Sequence, residues 1–150
     1  MGLNQFKNRL VQAKVCGVDS MIFIYLFEQN PRYYSWVKTL FDLTEQGKIQ
    51  LVTSVITPIE ILSTPGLTDK PSQIKLYLEF FKQMNNLTVA DISWETVELS
   101  SSLRRKHGLR TPDAIQFATA QVHSAPLFLT NDKHFSKLES NKILLLNSLL

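Results

Sequence analysis

The chain has 150 residues, of which 44% are apolar and 19% charged, and its formal net charge is +3. This length is typical of one compact domain, and the composition excludes a wholly disordered chain and a coiled coil. No apolar run approaches the roughly 20 residues needed to cross a bilayer, so we expect no membrane association. Cys16 is the only cysteine, which excludes an internal disulfide. We expect it to be a small core residue in a protein of the reducing cytoplasm.

The excess positive charge lies at the N-terminus. Lys7, Arg9 and Lys14 precede Val15 with no acidic residue among them, and the rest of the chain has 13 basic and 13 acidic residues. We therefore predict an N-terminal arm at residues 1–14 and one domain at residues 15–150. A neutral domain is not typical of a protein that binds nucleic acid through bulk charge, so such a function would need a local site.

Apolar spacing, turn residues and helix-start signals divide this domain into alternating strands and helices. Strands are predicted at 15–18, 49–55, 87–90, 127–129 and 143–146. Helices are predicted at 21–27, 31–46, from 57 to about 62, at 71–84, at 94–106 and from 111 onward, the last with Thr111 as its capping residue. The alternation favours a parallel sheet with helices on both faces, which is a three-layer α/β/α fold.

Four acidic residues lie where ligands bind in such folds. Asp19 ends the first strand, and Asp132 follows the fourth. Glu60 lies one turn into the helix after the second strand, and Asp113 stands at a helix start. Because ligands bind beyond the carboxyl ends of parallel strands, we expect the four carboxylates to converge at one edge of the sheet.

Each acid taken alone also has a purely structural interpretation. Asp19 and Asp113 could stabilise helix N-termini, and Asp132 could form the turn after the fourth strand. Glu60 is different, because its apolar neighbours suggest a largely buried helix, and a buried unpaired carboxylate is costly.

Taken together, the four acids indicate a cation site. Carboxylates in close contact repel one another unless a cation lies among them. The histidines have no metal-ligand spacing and one cysteine cannot form a thiolate cage, so an all-oxygen site favours Mg²⁺ or Mn²⁺ over Zn²⁺. An ion held by few carboxylates keeps bound water that can become an attacking hydroxide, which is the equipment of a phosphoester hydrolase.

Four segments of the chain also resemble the successive signatures of one protein family. In order they are Val18-Asp19-Ser20, Ser54-Val55-Ile56-Thr57-Pro58-Ile59-Glu60, Gly108-Leu109-Arg110-Thr111-Pro112-Asp113-Ala114-Ile115 and Leu129-Thr130-Asn131-Asp132. The set resembles PIN domains, in particular the VapC-like toxin ribonucleases of bacterial toxin–antitoxin pairs, from about Val15 to the C-terminus.

This resemblance implies a Mg²⁺- or Mn²⁺-dependent endoribonuclease with a five-stranded parallel sheet. It also implies an RNA substrate, a cognate antitoxin and frequent homodimerisation. The acids that would hold the metal and carry the catalysis fall on Asp19, Glu60, Asp113 and Asp132.

One position departs from the family's pattern. The residue two places after the first aspartate is commonly Asn or Ser in the family and is Met21 here, which affects a secondary polar contact rather than the metal ligands. The fourth acid is the least constant in the family, so Asp132 is the least secure ligand. The candidates to hydrogen-bond the ligands or to contact phosphate are Ser20, Thr57, Thr130 and Asn131.

A run of basic residues precedes Asp113 and has two interpretations. Arg104, Arg105, Lys106 and Arg110 could form a rail for RNA phosphates, or they could be solvated cations that complement a helix C-terminus. We expect Trp36 and Trp94, both on predicted helices, in the core or at an interface rather than as base-stacking platforms.

Large apolar side chains on the helices at 31–46 and 71–84 suggest a protein partner. Tyr34 and Phe80 fall beside the main apolar stripes of these helices. If they are exposed, they form an apolar patch of the kind that marks an interface with a second copy or an antitoxin; otherwise they belong to a thick core.

Two other functions stay open. A phosphotransferase with an aspartyl phosphate would need a second acid beside Asp19 and a lysine on a late strand, and the chain offers only Lys133. A catalytically silent module that binds RNA or protein would gain nothing from a costly cluster of carboxylates.

Overall fold

The structure, a computed structural model, describes residues 1–150. Its centre is one five-stranded sheet in which all strands are parallel and follow the order β3-β2-β1-β4-β5. The strands are β1 (Val15–Val18), β2 (Gln50–Ser54), β3 (Leu87–Ala90), β4 (Leu127–Thr130) and β5 (Ile143–Leu145). The expected five-stranded parallel sheet is confirmed.

Seven α-helices and three short 3₁₀ helices connect and cover the strands. The α-helices are α1 (Leu3–Ala13), α2 (Ser20–Phe27), α3 (Tyr34–Glu45), α4 (Ile56–Leu62), α5 (Pro71–Gln83), α6 (Trp94–His107) and α7 (Thr111–Val122). The 3₁₀ helices are Pro65–Leu67, Lys133–Leu138 and Leu146–Leu149. The longest α-helix has 14 residues, and none of the helices has the length and apolar character needed to cross a membrane.

The sheet separates two apolar cores, because successive side chains of a strand point to opposite faces. On β4, Leu127 and Leu129 join a large core with α1, α2, α3 and α5, whereas Phe128 joins a smaller core with α7. This arrangement confirms the three-layer α/β/α fold. Burial on both faces also explains why the strands read as short apolar runs without polar alternation.

The contact between β1 and α7 depends on a glycine and an alanine. A Cβ atom at Gly17 would overlap the Cβ atom of Ala120 and touch the ring of Phe128. The small side chains of α7 therefore let this helix approach the central strand closely, as the alanine-rich sequence of the helix suggests. This close approach carries the first turn of α7 to the carboxyl edge of the sheet.

The segment that we expected as an N-terminal arm is an ordered helix. Phe6 and Leu10 of α1, four residues apart and on one face, are fully buried in the large core. Phe6 also meets the ring of Trp36 on α3 at 5.3 Å between centroids. The polar face of α1 carries Lys7 and Arg9. The division of the chain into residues 1–14 and 15–150 stays a prediction.

Two helix starts differ from the sequence-based expectation. The helix expected from residue 31 begins at Tyr34, because Asn30 accepts backbone hydrogen bonds from Arg32 and Tyr33 and holds a turn. Thr111 is the first residue of α7 rather than its cap; Arg110 occupies the capping position without a capping side-chain bond. Proline in the first turn is the signal that correctly placed this helix.

Phe80 belongs to an aromatic cluster rather than to an exposed patch. Its ring lies 5.0 Å from that of Phe27 and 6.2 Å from that of Phe23, both measured between centroids, and Phe80 and Tyr34 are each partly buried. The apolar side chain that α5 exposes is Leu76, with 64% of its surface accessible. Of the two alternatives for Tyr34 and Phe80, the structure therefore favours packing against the core over an exposed apolar patch.

Candidate active site

A cleft of about 330 Å³ opens at the carboxyl edge of the sheet. It lies beside the point where the chain order reverses, between β1 and β4, which is where ligands bind in open α/β sheets. The structure brings all four predicted acids to this cleft. Its walls are formed by Asp19, Ser20, Met21, Ile24, Tyr25, Glu60, Arg110, Asp113, Gln116, Asn131 and Asp132.

Asp19 is the most buried of the four acids, with 7% of its surface exposed. It directly follows β1, and its neighbour Thr130 ends β4, so the pairing of these strands places the two side chains together. Thr130 donates its hydroxyl hydrogen bond to Oδ2 of Asp19, while Oδ1 is buried and has no partner.

Burial raises the pKa of Asp19 to about 7. The charges of Asp132 and Asp113 raise it further, while the hydrogen bonds from Thr130 and from the backbone of Met21 oppose the shift. The ionised form of Asp19 is therefore destabilised, because the side chain is buried and lies near two other acids.

Asp113 and Asp132 share one guanidinium. The Nε atom of Arg110 lies 2.9 Å from Oδ2 of Asp113, and an Nη atom lies 3.5 Å from Oδ2 of Asp132. These contacts also raise the pKa of Arg110, chiefly through its hydrogen bond to Asp113. Arg110 itself is 69% exposed, so its side chain can leave the acids without disturbing the core.

Asp132 has a structural role as well. Its Oδ1 accepts hydrogen bonds from the backbone N–H of His134 at 2.8 Å and lies 2.7 Å from Nδ1 of the same residue. It thereby caps the 3₁₀ helix Lys133–Leu138. The turn-forming interpretation of Asp132 and its position in the cleft are therefore both correct.

Glu60 lies at the exposed rim of the cleft, and the expectation of a largely buried helix around it is wrong. Its neighbour Ile59 is 58% exposed, because α4 has only seven residues and covers the sheet edge with Thr57 and Ile61 alone. The pKa of Glu60 is raised, first by partial loss of water and then by Asp113, although Ser20 and Arg110 favour its charged form.

A buried polar network lies beneath the acids. The amide of Gln116 donates to the hydroxyl of Thr57 at 2.7 Å and to that of Ser20 at 3.3 Å. Its Oε1 accepts from the backbone N–H of Ser54 at 3.2 Å and from the hydroxyl of Thr53 at 3.3 Å. Thus one side chain of α7 ties together α2, which directly follows Asp19, the end of β2, and α4, which carries Glu60.

Gln116 and Thr53 were not predicted as site residues. The sequence signal for Gln116 is weak: it lies three residues after Asp113 on the same side of α7, among mostly apolar buried residues. Ser20 and Thr57, which were predicted near the ligands, are both members of this network.

Asn131, in the loop after β4, also lines the cleft. Its amide donates to the hydroxyl of Tyr25 at 3.0 Å, and its Oδ1 accepts from the backbone N–H of Asn147 at 2.8 Å. Tyr25 in turn stacks on Tyr33 at 4.6 Å between ring centroids. Asn131 therefore ties the loop after β4 to α2 and to the C-terminal segment.

The donor set in the cleft fits a hard divalent cation. All the donors are oxygens, Oδ1 of Asp19 has no hydrogen-bond partner, and a cation would compensate the mutual repulsion of the acids. In the present side-chain arrangement, however, no three Asp, Glu, His or Cys side chains form a group that could hold one ion. The guanidinium of Arg110 provides the positive charge between Asp113 and Asp132 instead.

Most of the basic run lies outside this cleft. Arg104 and Arg105 line a separate groove, and Nε of Arg104 donates to the carbonyl oxygen of Leu109 at 3.1 Å. Only Arg110 reaches the acids. The four basic residues thus do not form a single rail into the acidic cleft.

Cys16 is buried in the large core, as expected. Burial raises the pKa of its thiol to about 12, so the thiolate is not formed near neutral pH. Cys16 is therefore a packing residue and not a nucleophile.

Known proteins share the sequence pattern and the fold of this chain. A family model described as "PIN domain" matches residues 17–141. The curated relative Ribonuclease VapC6 of Methanocaldococcus jannaschii is 32% identical over 62 residues, which cover 41% of this chain. The chain matches only 40% of the length of that relative.

Solved structures with the same fold include a toxin–antitoxin complex from Klebsiella pneumoniae, at 24% identity and a TM-score of 0.66, over 88% of this chain and 97% of that chain. VapBC2 from Rickettsia felis, bound to a DNA fragment from its promoter, has 19% identity and a TM-score of 0.64, over 87% of this chain and 96% of that chain. Because the family model spans most of the sequence, the chain belongs to the PIN domain family.

Proposed function

We propose that the protein is a Mg²⁺- or Mn²⁺-dependent endoribonuclease that hydrolyses RNA phosphodiester bonds. The observation that carries this proposal is Asp19, a buried carboxylate whose Oδ1 has no partner and which lies beside Asp113 and Asp132 in an open cleft of a PIN domain. A binding module without catalytic activity would gain nothing from this cluster of carboxylates, which repel one another.

The residues that would hold the ion are Asp19, Asp113, Glu60 and Asp132. When bound, such an ion activates a water molecule and neutralises charge on the phosphate. It would also replace Arg110 as the positive charge between Asp113 and Asp132. Thr130 keeps the carboxylate of Asp19 in place by its hydrogen bond to Oδ2.

Other residues of the chain prepare the cleft for a polymeric substrate. Gln116 fixes α4 against α7 through Thr57, and so holds Glu60 across from Asp113. Arg110, once released from its acids, is an exposed guanidinium at the cleft wall and suits the charge of a phosphate. Met21 and Ile24 supply an apolar wall at the same opening.

We further propose that the protein is the toxin of a toxin–antitoxin pair, acting in the cytoplasm as a homodimer. Support comes from the proteins that the chain resembles, which include a ribonuclease named VapC6, a toxin–antitoxin complex and VapBC2. The test in cells is induced expression of the chain, which we expect to arrest growth, whereas the Asp113→Asn variant should not.

Cleavage of a mixed RNA pool by the purified full-length protein tests the ribonuclease proposal. We expect endonucleolytic products with Mg²⁺ or Mn²⁺, and no products in a chelator or with Asp113→Asn. Cleavage that survives both controls would exclude this mechanism. RNA binding without cleavage at any metal concentration would favour a silent module instead.

A further inference from the structure

A second groove, of about 380 Å³, lies between α6 and α7, and none of the four acids lines it. We refer to it as the α6–α7 groove. Its walls include Val97, Ser101, Arg104 and Arg105 of α6, and Thr111 and Ile115 of α7. Trp94, at the first residue of α6, is 82% exposed. It is therefore not in the core, where an indole side chain usually gains most from burial.

Four of the exposed residues of α6 form a strip, and the exposed acids Glu95 and Glu98 lie beside it. Positions 94, 97, 101 and 105 are separated by three or four residues, which places them along one side of the helix. The strip is roughly 15 Å long at the rise of an α-helix. Its first half is apolar, with Trp94 and Val97, and its second half consists of Ser101 and Arg105.

Arg105 of the strip and the two cations that flank it in sequence have no acidic partner. Neither Arg104, Arg105 nor Lys106 forms an ion pair, and the one hydrogen bond of Arg104 uses Nε alone. Position at a helix C-terminus accounts for cations at that end. It does not account for an exposed indole eleven residues before Arg105 on the same strip.

The groove and the acidic cleft are separate, but adjacent residues at the start of α7 line them. Thr111 lines the groove, and the adjacent residue Arg110 lines the cleft, with Asp113 one turn further along the same helix. The end of the groove at Thr111 is thus one residue away from the wall of the acidic cleft.

We propose that the α6–α7 groove binds a single-stranded segment of the RNA substrate next to the cleaved bond. A base stacks on Trp94, and phosphates lie against Arg104 and Arg105. Such sites combine an aromatic platform with a cationic groove, because every base has an apolar face and every linkage a negative charge. This inference rests on the proposed ribonuclease function. The unpaired cations favour RNA over an apolar protein surface.

The test measures binding of a fluorescently labelled single-stranded RNA to the full-length Asp113→Asn protein, which should bind without cutting. Trp94→Ala should weaken binding by roughly five- to a hundredfold, the range for loss of one stacked base. Arg105→Gln should weaken binding and reduce the salt dependence by about one counterion. RNA should also quench tryptophan fluorescence in the Asp113→Asn protein and in its Trp36→Phe variant, but not in its Trp94→Ala variant.

Matched controls separate this site from general effects. Leu76→Ala removes another exposed apolar side chain, and Lys82→Gln removes another cation from the last turn of a helix. Both should leave RNA affinity unchanged. Unchanged affinity in Trp94→Ala and Arg105→Gln, with cleavage by the native enzyme intact, would overturn the groove but not the ribonuclease. Altered sedimentation of Trp94→Ala with unchanged RNA affinity would assign the groove to a protein partner and also overturn the proposal.

Discussion

Thr130 donates its hydroxyl hydrogen bond to Oδ2 of Asp19, and this side-chain contact joins the ends of the two strands between which the chain order reverses. The backbone N–H of Asp132 donates to the same Thr130 hydroxyl at 3.0 Å. One threonine therefore sets the positions of the first and fourth acids at once. Oδ1 of Asp19 stays buried and without a hydrogen-bond partner, so this atom is available to a cation.

Removing one carboxylate charge should stop catalysis without unfolding the protein. We expect Asp19→Asn, Glu60→Gln and Asp113→Asn each to abolish Mg²⁺-dependent RNA cleavage, because each acid would hold the ion or its water. The checks are a cleavage assay and circular dichroism. Asp42→Asn is the matched control, since Asp42 pairs with Lys38 on the surface of α3 at 2.7 Å and lies outside the cleft. Full activity in the Asp113 variant would refute the assignment of the site.

A cation that binds the folded cleft should also stabilise the fold. We expect the melting temperature to rise progressively with metal concentration, and Mn²⁺ to act at lower concentration than Mg²⁺. Differential scanning fluorimetry measures this, with Asp113→Asn as the variant that should respond less. Melting curves indifferent to both ions, together with cleavage in a chelator, would exclude metal-based chemistry.

The raised pKa of Asp19 predicts a pH dependence of stability in the metal-free protein. Its pKa is about 7 in the fold, against an ordinary value of 3.8, so between these values the folded state retains a proton that the unfolded chain has released. Stability should therefore fall as pH rises from about 4 to about 7, by at most about 1.4 kcal/mol per pH unit. Urea unfolding in a chelator measures it, and Asp19→Asn should flatten the curve. A stability that rises over this range in the native protein but not in the variant would contradict the sign.

The four acids could be located from sequence because each stands at a position that topology controls. Asp19 and Asp132 follow strands, and strands in a parallel sheet end at a common edge. Asp113 follows a proline in a helix start, which is a strong local signal. The burial of Glu60 could not be predicted in the same way, since it depends on how much of the short helix α4 the sheet covers.

Tertiary partners account for the other differences. The apolar pair Phe6 and Leu10 does have helical spacing, but the charges between them made the segment look like an arm. The sequence alone gives little reason to select Gln116 as a site residue. Its role depends on the hydroxyls of Ser20, Thr53 and Thr57, which only the fold brings into contact with it. Likewise, nothing in the sequence says that Phe80 packs inward while Trp94 is left in solvent.

Arg110 gives the last prediction. Its guanidinium bridges Asp113 and Asp132, so a divalent cation and Arg110 compete for the same negative charge. Arg110→Gln should therefore tighten Mn²⁺ binding in the absence of RNA, by about two- to fivefold, because an exposed ion pair contributes at most about 1 kcal/mol. Isothermal titration calorimetry measures the change, and Arg105→Gln, whose charge lies outside the cleft, should bind Mn²⁺ as the native protein does. If Arg110 also contacts phosphate after the ion displaces it, the same variant should cleave RNA more slowly despite its tighter metal binding. Weaker or unchanged Mn²⁺ binding in Arg110→Gln would show that the guanidinium does not compete with the ion.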